Sequence, residues 1–259
     1  MSILKKLYEK SEIWFSIAWI IAYCVLMSVG DNLSSTLGAE KSITLVIGLV
    51  LSFVLFAFLK KNKLLKKYGF CHSQSTNKSM LFYIPILIML SANLWYGLTL
   101  NYGVGETVFY VLAMLCVGFL EEVIFRGLLF EAMRKGNTKV AIIVSSLTFG
   151  IGHIINLFNG AGMDLLPSLL QILYATTAGF MFVMIYYKSK SIVACVVSHG
   201  LFNALSAFSN EAIQTQQSRI ITSILLALIT GTYALYLAWS MRRKDNNWHG
   251  KQKGNTSNM

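Results

Sequence analysis

Charge is what this chain lacks. Only 13% of its 259 residues are Asp, Glu, Lys or Arg, where a soluble domain carries about 25%. A soluble globular enzyme is excluded on that ground. Proline is nearly absent, with two residues, and no low-complexity tract breaks the sequence. Linkers and a string of separate domains are therefore not expected. Cysteine is sparse as well. Cys24, Cys116 and Cys195 fall in apolar runs and Cys71 in a polar connection, and no pair suggests a disulfide or a zinc site. What is plentiful is apolar: 55% of residues are hydrophobic and the mean hydropathy is +0.59. Disorder is excluded by that content, and a polytopic membrane protein remains.

Apolar stretches of about 20 residues are long enough to cross a bilayer as helices. Eight appear, over 13–29, 43–59, 80–98, 107–130, 140–155, 165–187, 192–208 and 220–239, the fifth and seventh being short. The expected fold is thus all-α, a polytopic bundle of about eight transmembrane helices. Basic residues alternate between the connections. The two termini and the even-numbered connections hold 19, and the odd-numbered connections hold two, Lys41 and Arg219. Positively charged connections stay in the cytoplasm, so both termini are expected there. Topology alone explains the net charge of +11, and no nucleic-acid partner is needed. The first apolar run is too long for a signal peptide and no small-residue cleavage site follows it, so it is expected to remain as a helix.

One basic residue falls inside a span. Arg126 lies in GFLEEVIFRGLLF together with Glu121 and Glu122. Each charge near the bilayer centre costs about 2.5–3.5 kcal/mol, so three together call for compensation. Glu122 and Arg126 stand four apart and can pair on one helix face. Glu121 is turned about 100° away and is left facing elsewhere. Two histidines are also in spans: His153, four residues after Phe149, and His199, four before Asn203. Counted from the nearest cytoplasmic charges, Glu121, His153 and His199 lie roughly 13–21 Å deep at 1.5 Å per residue. A shared depth on three helices is what a single site requires.

A carboxylate, two imidazoles and a carboxamide in a partly dry cavity suit hydrolysis. Glu121 can take a proton from water that attacks an amide carbonyl. His153 can hold that water or return a proton to the leaving amine. His199 and Asn203 can donate hydrogen bonds to the developing oxyanion. No serine or cysteine carries a nucleophile motif, so direct attack by water is preferred. Two histidines and a glutamate (Glu121, His153, His199) also form a common zinc ligand set. HExxH is absent, and a divalent metal such as zinc stays open.

The order EExxxR (Glu121, Glu122, Arg126), FxxxH (Phe149, His153) and HxxxN (His199, Asn203) resembles the three motifs of the CPBP family. These are the CAAX protease and bacteriocin-processing, or Abi, intramembrane proteases. The resemblance covers residues 106–208. It implies an eight-helix intramembrane endopeptidase of the glutamate or metallo type. Glu121 would be its base, His153 would help bind the water, and His199 with Asn203 would stabilise the oxyanion. Glu122, Arg126 and Phe149 would support them. The expected organisation is one integral membrane domain: three helices over 1–105, the catalytic core over 106–208, a last helix over 209–240, and a polar, disordered cytoplasmic tail over 241–259. Basic inner loops and compact length look more like a bacterial member in the cytoplasmic membrane. Such relatives are associated with bacteriocin immunity and pheromone maturation. The implied partners are the lipid bilayer and a membrane-associated peptide or protein substrate.

Two other readings use the same residues. A non-catalytic immunity or partner protein would keep the polar cluster only for packing. A transporter would use Glu, His and Arg as a proton relay, but neither Pro85 nor Pro167 breaks a helix beside the cluster. Gly150 and Gly152 are expected to serve close packing first, or else to give room near His153.

Overall fold

The structure, a computed structural model, describes residues 3–157 and 165–256. Helices make up the architecture, and no strand occurs among the described residues. A short α1, Ile3–Lys10, leads into α2, Glu12–Leu37, α3, Ser42–Lys61, α4, Lys78–Leu94, and α5, Val104–Arg134. They are followed by α6, Thr138–Leu157, α7, Leu165–Ser189, α8, Val193–Phe208, and α9, Gln216–Arg243.

Six of these, α2, α3, α5, α6, α7 and α9, are long and apolar enough to cross a bilayer. The chain is an integral, multi-pass membrane protein. α8 is short, as the seventh apolar segment leads one to expect, and α4 is shorter than the six as well; α6, over the fifth segment that was expected to be short, has full length. Within α4, Leu81, Phe82 and Tyr83 hold left-handed φ values of 49°, 51° and 59°. That breaks the first turn away from the regular helix at Ile84–Ser91, which Pro85 opens at a position where no amide donor is needed. α8 packs along α5 and turns Val193, Val197 and Leu201 outward. The helical backbone of α9 also runs on to Thr256, which corrects the expectation of a disordered tail up to that residue; residues 257–259 lie outside the described ones.

Local signals set the helix ends. Ser11 caps α2 by accepting from the Trp14 amide, and Gly38 ends it in the left-handed conformation. The Asn137 side chain caps α6 through the Lys139 and Val140 amides. Glu106 accepts from the Gly103 amide at the start of α5 and from the Glu40 amide across the connection.

The connections sort into two ends. At one, Glu12 bonds both Lys67 and Lys135 at 2.7 Å, and Ser191 Oγ donates to Cys71 O at 2.6 Å. This is the end that gathers the basic loops. At the other, Asn101 donates to Ala207 O and Ser209 O, and Lys41 pairs with Asp31 at 2.8 Å. Outward faces are apolar, with Phe53, Leu87 and Leu235 exposed. Inside, Glu122, Arg126, Ser145 and Ser146 are fully buried. Apolar outside and polar inside is the arrangement a bilayer demands.

Candidate active site

The site forms where α5 crosses α8. A Cβ on Gly118 would sit 2.4 Å from the backbone nitrogen of Gly200, so only glycine permits this approach. Three and four residues past Gly118 come Glu121 and Glu122, and one residue before Gly200 comes His199. The crossing therefore inserts the imidazole between the two carboxylates. His199 Nδ1 lies 2.8 Å from Glu122 Oε1, and Nε2 lies 3.4 Å from Glu121 Oε2.

Directly after Glu122 the helix widens into a π-helix, Val123–Phe130, a feature frequent at functional sites. Arg126 is on it and pairs with Glu122 at 3.2 Å, both side chains fully buried. The expected i, i+4 pair is present. Among the described residues the guanidinium nitrogens find no hydrogen-bond partner. They rest instead on aromatic faces, 4.1 Å from the Phe149 centroid and 5.5 Å from that of Phe182. His199 stacks on Phe182 and meets Phe149 edge-on. Phe149 thus supports the site through Arg126 and His199 as well as His153.

Glu121 does face elsewhere, as the helix geometry predicts. Its Oε1 accepts a hydrogen bond from Tyr23 Oη on α2 at 2.7 Å. Its Oε2 has no hydrogen-bond partner among the described residues. Tyr23 is the residue that sequence reasoning missed. A lone tyrosine in an apolar span is ordinary; the available signal was its position 11 residues into α2, about 17 Å at 1.5 Å per residue, a depth similar to that of Glu121.

His153 ends the α-helical part of α6, and its Nδ1 lies 2.9 Å from Phe149 O. A carbonyl can only accept, so Nδ1 carries the proton and Nε2 of the neutral ring is left as an acceptor. A cavity of about 290 Å³ is lined by Glu121, His153 and Asn203 together with Tyr23. A smaller one of about 50 Å³ adjoins it and is lined by His153, His199 and Asn203. The structure thus brings all four predicted reacting residues to two neighbouring cavities. The two glycines divide. Gly150 is a packing position, since a Cβ there would fall 2.0 Å from Thr176 Oγ1, whereas Gly152 has nothing within 4 Å of such an atom and lines the large cavity.

A metal was open from the sequence. Among the described residues no three His, Cys, Asp or Glu groups converge into a ligand set. His153 Nδ1 is held by Phe149 O and His199 Nδ1 by Glu122, which leaves Nε2 of each ring, with Glu121 Oε2, as the atoms that would hold a metal and let it polarise water. No step below runs through one.

A family model described as type II CAAX prenyl endopeptidase Rce1-like matches residues 103–205. No curated protein matches the chain. The matched segment begins at the amide that caps α5 and ends two residues after Asn203, so it takes in every residue of the cluster except Tyr23.

Proposed function

We propose, on the match of residues 103–205 to the type II CAAX prenyl endopeptidase Rce1-like model, that this membrane protein hydrolyses peptide bonds with water activated by Glu121. The observation that carries the reading is the state of that carboxylate. One oxygen is fixed by Tyr23, and the other lies 3.4 Å from His199 Nε2 and makes no hydrogen bond among the described residues, on a cavity shared with His153 and Asn203.

In this reading a water donates one hydrogen bond to Glu121 Oε2 and one to His153 Nε2. As its oxygen attacks the amide carbon, a proton passes to Glu121. The carbonyl oxygen becomes an oxyanion and accepts from the Asn203 amide and from His199. Glu122 holds His199 through Nδ1, and Arg126 holds Glu122. The protonated Glu121 then gives its proton to the leaving nitrogen as the C–N bond breaks. A carboxylic acid and an amine leave, and the net change is addition of one water. The substrate class is a membrane-associated peptide or protein, with bacteriocin and pheromone precursors as specific examples.

The test offers a library of membrane-anchored and amphipathic peptides to the protein in lipid nanodiscs, with mass spectrometry to locate cuts. The parent is expected to cleave at defined bonds and Glu121→Ala to leave them intact. Equal cutting by both would refute the assignment.

A further inference from the structure

The large cavity extends from the proposed water site along α2. Its wall on α2 passes from Tyr23 through Ser28 to Asp31, eight residues, or about 12 Å along the helix. It finishes among Lys41, Thr44 and Ser206, at the end of the bundle that lacks the basic loops. Toward the basic end the way is blocked. Phe125 and Phe149 line the cavity at that side, Arg126 packs on Phe149 and Phe182 behind them, and Ser145 Oγ ties α6 to Phe125 O.

Charge fixes which end is which. With 19 basic residues in one set of connections and two in the other, the blocked end is cytoplasmic. We propose that substrate reaches Glu121 from the non-cytoplasmic face. The substrate would then be a peptide segment lying outside the membrane midplane, bound extended over about three to four residues at ~3.3 Å each. The wall suits an exposed backbone: Ser28, Thr44, Asn156, Gln171 and Ser206 offer hydroxyl and amide groups along it. At its far end the Lys41 ammonium and Asp31 carboxylate, 2.8 Å apart, with Thr44 donating to Asp31 at 2.6 Å, present one charge of each sign. This proposal rests on the protease reading for its chemistry but not for its geometry.

The chain carries its own probes. Cys24 lines the cavity, and Cys71 is at the basic end, with its thiol on Lys190 O. Three full-length versions would each keep one cysteine: Cys24, Cys71, or a cysteine introduced by Ser28→Cys one turn further along the cavity. A small sulfonated, membrane-impermeant methanethiosulfonate is applied to right-side-out and to inverted membrane vesicles, and modification is followed over time. Cys24 and the Ser28→Cys variant are expected to react at least tenfold faster in right-side-out vesicles, and Cys71 at least tenfold faster in inverted ones. Reaction of the Ser28→Cys variant from the Cys71 face, or from neither face, would overturn the proposal. Labelling needs no turnover, so a reversed pattern would leave the protease reading standing, and an active Glu121→Gln enzyme would leave the route standing.

Discussion

Glu121 and Glu122 are neighbours in sequence with different partners, and their partners set their tasks. Glu122 is fully buried between Arg126 and His199. Removing one member of a buried pair leaves the other uncompensated, a loss of about 3–5 kcal/mol. Arg126→Met is therefore expected to lower unfolding stability in detergent by that order, with Arg126→Lys recovering part of it; an unchanged melting temperature would show that the pair does not hold the helix. Tyr23 bonds only the cavity-lining Glu121. Tyr23→Phe removes one donor to a carboxylate, worth about 1.5–3 kcal/mol. It is expected to cut kcat by about tenfold or more with little effect on melting, which separates a positioning role from a structural one. At this scale much was legible in the sequence. The four-residue spacing of Glu122 and Arg126 and the 100° turn to Glu121 both follow from helix geometry. The bridging place of His199 was not legible, because it depends on how two helices cross, which no spacing within either helix encodes.

Glycine decides that crossing. Gly118 meets the Gly200 backbone, and backbone cannot step aside as a flexible side chain can. Gly118→Ala is expected to lose about 1–3 kcal/mol from forced separation and to lose most activity, since α5 and α8 carry Glu121 and His199. Gly152→Ala meets nothing within 4 Å and is expected to melt like the parent. Paired melting curves check both, and equal destabilisation would contradict the packing argument. From sequence the two roles of Gly150 and Gly152 stayed open, because small-residue spacing marks a close contact without naming its partner. Hydropathy found eight apolar segments, and each is a helix. It did not reveal the left-handed run at Leu81–Tyr83, where none of the residues is glycine, nor the π-helix after Glu122.

Across the whole molecule, the charge pattern and the cavity are two independent records of one polarity. The 19 basic residues mark one end, and the polar cavity leads to the other. The same organisation places Glu121 near mid-membrane, with the buried Glu122–Arg126 pair on its cytoplasmic side. The alternation of basic loops was readable at once from sequence. The cavity was not, since its wall combines residues from six helices. The measurement that tests the central claim most directly is the single-turnover cleavage rate of one identified peptide in nanodiscs, parent against Glu121→Gln. General-base catalysis contributes about 10²–10⁴-fold. The account predicts a loss of at least about a hundredfold at an unchanged melting temperature. A rate within a few-fold of the parent would contradict it.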